Sequence, residues 1–256
     1  MKTTFIRQSI WLVPALICSA QTLADERARI EPHGFIYGFG LGINQEVYKD
    51  YNLRVIPLPL VGYRGEDLRI FGPFASYDIA DFDKLSFSIK LAPRFAGFDE
   101  SDSSVFNGMD KRKSSLDAGI GVEYKFNNAR IDYSVMFDIL GNYNGYESSS
   151  NLSYVWRLGP FFIEPSIGLK YQDANMVNYY YGVRAHEVSA TREQYSPDYA
   201  LNSTAGISAT TNSFLNGFTR IGLTKTWYGN AITDSPLVEI DSMSGLSLFL
   251  SYSRFF

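Results

Sequence analysis

The chain has 256 residues, a net charge of -4, 45 % hydrophobic residues and a mean hydropathy of -0.12. A membrane-spanning helix needs about 20 consecutive apolar residues, and beyond the N-terminal segment no such run occurs; the acidic balance argues against a nucleic-acid partner. Aromatic residues are the outlier at 16 %, with 18 Tyr, 19 Phe and 3 Trp, which suits a membrane β-barrel with aromatic belts or an aromatic-rich soluble sandwich.

The N-terminal segment reads as a cleaved export signal. Lys2 and Arg7 supply the positive region. Ser9 to Ala20 is mostly apolar and too short to span a bilayer as a helix. Thr22-Leu23-Ala24 places small residues at the -3 and -1 positions, so residues 1–24 are expected to be removed after Ala24, leaving 25–256 as one barrel domain. The competing reading is a lipoprotein lipidated on Cys18, but Ile17 stands where a small residue is expected. Cys18 is the single cysteine, so the mature chain has no disulfide framework, thiolate nucleophile or cysteine metal site.

After the leader the sequence alternates apolar and small or polar residues at period two, the signature of strands. Gly34–Asn44 sets Phe35, Tyr37, Phe39, Leu41 and Ile43 against Gly34, Ile36, Gly38, Gly40, Gly42 and Asn44. Leu53–Tyr63 follows, interrupted by Pro57 and Pro59, which belong on a strand edge or bulge. Leu68–Ile79 reads as one strand. Leu85–Gly97, Leu116–Phe126, Ile131–Ile139 and Phe161–Tyr171 alternate most cleanly. Leu152–Leu158, Leu201–Thr211, Phe214–Trp227 and Gly245–Phe256 complete the series. Runs of about 10 residues are the length a tilted strand needs to cross a membrane. Their polar faces are rich in Gly and Ser, as a narrow lumen requires.

Tight turns are expected at Arg64–Asp67, Asn127-Asn128 and Gly159-Pro160. Longer loops are expected at Asp99–Ser115, Asp173–Ala200 and Tyr228–Ser242. The series counts eleven strands, whereas bacterial single-chain barrels use even numbers. A twelfth strand is placed in Met176–Glu187. If the proline-bearing segment is no strand, ten remain. The fold class is therefore an all-β, antiparallel, up-and-down transmembrane barrel of about 12 strands, with 10 as the alternative.

The final segment puts Leu246, Leu248, Leu250, Tyr252 and Phe256 on one face. Ending on Phe256, it is similar to the signal read by the outer-membrane barrel assembly machinery. Further segments carry a more specific resemblance: Tyr37-Gly-Phe-Gly-Leu-Gly42, Pro57-Leu-Pro59, Asn178-Tyr-Tyr-Tyr-Gly-Val183, Glu187, Tyr195-Ser-Pro197 and Asp234-Ser-Pro-Leu-Val238. In this order and spacing the chain resembles the MipA/OmpV family of outer-membrane proteins. The 99–115 loop matches nothing in that pattern. The resemblance implies a non-enzymatic, cofactor-free protein of the Gram-negative outer membrane, in contact with its lipid and lipopolysaccharide. It also implies a scaffold that connects a lytic transglycosylase, a murein hydrolase, with a penicillin-binding murein synthase. A small-solute porin and a surface adhesin or antigen are the alternatives.

Catalysis needs a nucleophile or activated water within reach of a base, and there are only two histidines. His33 precedes the first strand. His186, Ser189 and a carboxylate could form a hydrolase triad, although loops carry Ser and Glu by default. Asp99, Glu100, Asp102 and Asp110 could hold calcium, but they lack the ordered ligand spacing of a calcium loop. Lys111, Arg112 and Lys113 could instead pair with lipopolysaccharide phosphates. The remaining candidates are a possible partner-binding loop at Tyr179, Tyr180 and Tyr181, and Asp234. Exposed tyrosines make good anchors, though an aromatic girdle at a strand end and a turn at Asp234 are the plainer readings.

Overall fold

A computed structural model describes residues 33–239 and 243–256. The expected leader and cleavage site lie outside the described residues. The strands are β1 (Gly34–Tyr48), β2 (Tyr51–Arg64), β3 (Leu68–Phe71), β4 (Phe74–Phe82), β5 (Leu85–Arg94), β6 (Ser115–Phe126) and β7 (Ala129–Asp138). They continue as β8 (Tyr146–Tyr154), β9 (Trp156–Leu158), β10 (Phe161–Gln172), β11 (Ala200–Phe214), β12 (Gly217–Trp227) and β13 (Ser244–Phe255). β8 and β9 both pair with β10 and are one span broken at Val155, so the wall has twelve spans. Each span pairs antiparallel with its neighbours, and β13 closes on β1 from Ile36↔Phe255 to Asn44↔Ser247.

The register divides the wall into two faces, because a strand's side chains alternate. The cross-strand series Asp117↔Asp138, Gly119↔Met136, Gly121↔Ser134 and Glu123↔Asp132 points into the lumen. The intervening Ile120, Tyr124, Ile131 and Tyr133 point outward and remain exposed. The same holds around the wall for Phe39, Val61, Ile89, Ile167, Ile207 and Ile221. Water would penalise such a continuous apolar exterior, whereas hydrocarbon accepts it. The lumen is bridged by Arg94 with Asp117 and Glu147, and by Arg130 with Asp132 and Glu164.

Turns at one end are short: residues 65–67, 83–84, 127–128, 159–160 and 215–216. Long connections at 95–114, 173–199 and, as far as it is described, 228–239 all lie at the other end. Short turns mark the periplasmic side of such barrels and long loops the outside. Aromatic pairs ring the periplasmic end, including Phe35–Tyr63, Tyr37–Phe256 and Tyr154–Trp156. A second group, Phe137–Tyr146 and Tyr171–Tyr199, rings the loop end.

Two sequence expectations need correction. Leu68–Ile79 is not one strand: it folds into the β3–β4 hairpin, turning at Gly72-Pro73 with Gly72 at φ 58°. That hairpin supplies the span missing from the odd count. Met176–Glu187 holds no strand; it holds the helix α1 (Ala174–Tyr181) and a helical turn at Ala185–Glu187. The helix starts there because the Asp173 carboxylate accepts from the Met176 N–H at 3.1 Å, satisfying one of the free donors of the first turn. Its buried residues Met176, Val177 and Tyr180 recur at helical spacing.

The proline-bearing span is real. β2 pairs along its length with β1. On its other edge β3 meets only Gly62, Tyr63 and Arg64. Pro57 and Pro59 lie beyond that contact, so neither removes a ladder bond.

Candidate functional site: the capped loop end of the barrel

The long loops pack over the outer mouth and form a small core of their own. Tyr48, Phe98, Phe106, Met109, Val183 and Leu237 make one buried cluster. Val47, Val177, Ala200, Ile232 and Val238 make a second, and Tyr143, Met176 and Tyr180 a third. Phe98 and Phe106 stack at 3.8 Å, with the Tyr48 ring edge-on to both. Backbone bridges stitch the loops together: Phe98 to Arg112, Val183 to Tyr195, and Tyr48 at the end of β1 to Val238.

At the centre is a fully buried ion pair. Arg112 and Glu187 both have side-chain exposures of 0 % and meet at 2.7 Å. The contact is bidentate, Nη1 to Oε1 at 2.8 Å and Nη2 to Oε2 at 2.7 Å. The guanidinium also donates to the carbonyls of Tyr179, Asp110 and Gly182. Glu187 in turn accepts from the backbone N–H groups of Asp110 and Arg184. Burial alone raises this carboxyl, but the bonds from Arg112 and the backbone outweigh it and hold Glu187 below the ordinary glutamate value. A second buried arginine, Arg192, donates to the carbonyls of Glu187, Val105 and Asn107. The cap is therefore tied by arginine forks that satisfy carbonyls no regular ladder reaches.

The tyrosine run belongs to this core. Tyr180 is buried, and burial pushes its hydroxyl well above the ordinary tyrosine value. Tyr181 stacks on Tyr48 at 5.4 Å and is likewise raised by burial. Tyr179 is half-buried; its hydroxyl accepts from the Lys113 N–H and its ring lies beside the Arg112 guanidinium. Asp234 is exposed at the C-terminal end of a single helical turn, Asn230–Thr233. Next to it, the Ser235 hydroxyl donates to the Tyr181 carbonyl at 2.6 Å. The structure thus gathers Tyr179, Tyr180, Tyr181 and the Asp234 segment into one unit, with the Tyr180 ring turned inward. Sequence reading missed Phe98, Phe106 and the pairing of Arg112 with Glu187.

The triad residues do not assemble. His186 Nε2 lies 3.0 Å from Asp110, which also accepts from Arg184 at 2.6 Å. Among the described residues no hydrogen bond joins Ser189 to His186. The Asp110 carboxyl is held low by His186 first and then by Arg184. Asp110, His186 and Glu187 bring potential ligand atoms within 4.8 Å of one another. Their carboxylates already face Arg112 and Arg184, so a cation there would have to displace two guanidinium groups. Of the other acidic residues, Asp99 pairs with Lys111, Asp102 accepts from the Asp99 N–H, and Glu100 accepts from the Gly108 N–H. They are separate contacts, not one converging ligand set.

Below the cap, in the periplasmic half of the lumen, lies a cavity of about 240 Å³. Arg130, Ser153, Glu164, Arg220 and Phe249 are among its lining residues.

The segments at 178–183, 187, 195–197 and 234–238 are far apart in the chain and meet in the cap. Residues 37–256 match the family profile of MltA-interacting protein MipA. The chain belongs to the MipA/OmpV family. The chain is 28 % identical to the MltA-interacting protein of Escherichia coli K12 over 216 residues, covering 83 % of this chain and 86 % of that protein. It is 26 % identical to the outer membrane protein Omp26La of Vibrio anguillarum, covering 76 % of each. Among solved structures it is similar to the CymD monoaromatic hydrocarbon channel, with a TM-score of 0.41, 11 % identity, and coverage of 94 % and 93 % of the two chains. This member of the MipA/OmpV family is an outer-membrane β-barrel.

Proposed function

We propose that this protein is a non-enzymatic scaffold of the outer membrane that holds a lytic transglycosylase close to the wall and connects it with a penicillin-binding murein synthase. The observation that carries the reading is the match, over most of both chains, to a relative named for its interaction with MltA. The capped mouth supports it. A barrel whose outer opening is filled by a packed core serves as an anchor rather than a diffusion path. Crosslinking in intact cells followed by identification of partners is the test. Recovery of a transglycosylase is expected; recovery of lipopolysaccharide and assembly factors alone would sink the scaffold.

The lumenal cavity favours a second reading, a small-solute porin. Twelve spans make a narrower wall than the 16 to 18 of water-filled porins. Single-channel recordings in planar bilayers are expected to show no stable openings. Large, long-lived openings would instead establish the pore.

A further inference from the structure

The lumenal cavity is built by two neighbouring rows of the wall. Residues paired across antiparallel strands turn their side chains to the same face. One row runs Arg130↔Ser153↔Ser166↔Gly206↔Thr224↔Ser247, across β7, β8, β10, β11, β12 and β13. The next row toward the periplasm runs Glu164↔Ser208↔Gly222↔Phe249. All of these except Gly206 line the cavity. The first row is mostly hydroxyls, and the second ends on an aromatic ring.

The hollow lies where the rows lack side chains. Gly206 and Gly222 stand diagonally across β11 and β12. A Cβ on Gly206 would come within 3.0 Å of Thr224 Oγ1 and 3.1 Å of Ser166 Oγ, so two hydroxyls already lean over it. A Cβ on Gly222 would meet only the Ser208 Cβ, at 3.7 Å. The space above Gly222 is therefore open. Near one end of the hydroxyl row, Ser153 is 2 % exposed and its Oγ has no hydrogen-bond partner among the described residues. Leaving a buried hydroxyl unmet is costly. Ser153 lines the cavity, so an occupant can supply the missing bond.

The charges narrow the class of occupant. Arg130 donates to Glu164 at 2.7 Å. Arg220, which faces the lumen near the periplasmic start of β12, donates to Ser208 at 3.4 Å and is exposed, so the cavity opens to water on that side. An anion would sit beside the Glu164 carboxylate, and a cation beside two guanidinium groups. An apolar molecule would strip water from the hydroxyl row and replace none of its bonds. A neutral ring with hydroxyls on its rim conflicts with none of these. Its hydroxyls meet the serines and Thr224, and its C–H face lies on the Phe249 ring. The volume of about 240 Å³ is below the roughly 300 Å³ at which pockets for drug-sized ligands begin, which suits one ring rather than a chain.

We propose that this cavity binds one free, neutral monosaccharide, entering from the periplasmic end. The site needs no path through the cap, so it stands apart from both the scaffold and the porin. Water is the competing occupant of a polar cavity, but water gains nothing from the Phe249 ring.

The experiment is saturation-transfer NMR on the whole protein, folded in dodecyldimethylamine oxide micelles, which carry no sugar. Glucose, galactose, mannose and N-acetylglucosamine are the probes, with maltose, acetate and ethylammonium as comparisons. At least one monosaccharide should receive saturation, strongest at its ring C–H protons. The signal should fall several-fold in Gly222→Phe, whose ring fills the hollow, with folding checked by heat-modifiable gel mobility. No transfer to any monosaccharide means a cavity that holds water alone, and overturns the proposal. Equal transfer in folded Gly222→Phe places the sugar outside the lumen and overturns it too. Transfer to acetate or ethylammonium without any sugar overturns the neutral class. Transfer to maltose as strong as to any monosaccharide points to the end of a glycan chain and overturns the free sugar. A second variant, Ser153→Ala, removes one buried oxygen and serves if Gly222→Phe does not fold. It should weaken the apparent affinity several-fold, and unchanged affinity would count against the site.

Discussion

Replacing Arg112 with Ala should unfasten the cap while leaving the wall standing. Removing one member of a buried ion pair leaves the other charge without compensation, which costs about 3–5 kcal/mol. Here Glu187 is that stranded charge, and the carbonyls of Tyr179, Asp110 and Gly182 lose a donor as well. The measurement is limited proteolysis of the folded protein in detergent, with cleavage sites mapped. Cuts should move into 99–114 and 184–199, and the barrel core should stay intact. An Arg112→Ala cap as resistant as the parent would falsify the assignment of this pair as the fastening. Combining Arg112→Met with Glu187→Leu removes the stranded charge but not the loss of three carbonyl partners, so it should recover only part of the resistance. The pair also sets a pH response. Because the Glu187 carboxyl is held low in the folded protein, its contribution is fully present above the unfolded value of about 4.3. It is lost as pH falls through the lower folded value. The cap should therefore be insensitive to pH near neutrality and loosen only in acid, below about pH 4.

The second large effect lies on the outer face. Ile120 sits in the middle of β6, points away from the lumen and is 58 % exposed. An arginine there faces the bilayer midplane, and Ile120→Arg should destabilise the barrel by about 2–4 kcal/mol. Phe126→Arg, at the periplasmic end of the same strand, should cost about 0–1 kcal/mol. Reversible urea unfolding in lipid vesicles measures both. Equal costs at the two positions would contradict the depth assigned to them, and hence the placement of the wall in the membrane.

The wall was legible in the sequence because hydrocarbon imposes a strict period of two on every span. The alternation over Leu116–Phe126 and Phe161–Tyr171 falls within two residues of the observed strand limits. The β3–β4 hairpin was not legible, since both of its arms are apolar and Gly72-Pro73 reads equally well as an irregularity inside one strand. Helix α1 is hidden in the sequence for a related reason. A run of three tyrosines favours strands by propensity, and eight residues cannot make a stable helix without tertiary support. That support is the cap core, built from residues as distant as Tyr48 and Leu237. Arg112 was hidden by its neighbours. Between Lys111 and Lys113 it looks like part of a solvated basic run, and only the fold shows that the middle residue alone turns inward. The convergence of 178–183, 195–197 and 234–238 was equally invisible, although each segment had stood out by itself.

The meeting of β13 with β1 carries a consequence for how the protein comes into being. The wall is a ring whose last bond joins residues more than 200 positions apart, as in Ile36↔Phe255. Contacts of such long range form late, because the loop they close must lose its freedom before any bond rewards it. Until residues near 250 arrive, β1 and β12 are bare edges, and hydrocarbon admits neither. Insertion is therefore a single commitment rather than a progressive one: the membrane can receive this ring only when the chain that closes it is already in hand.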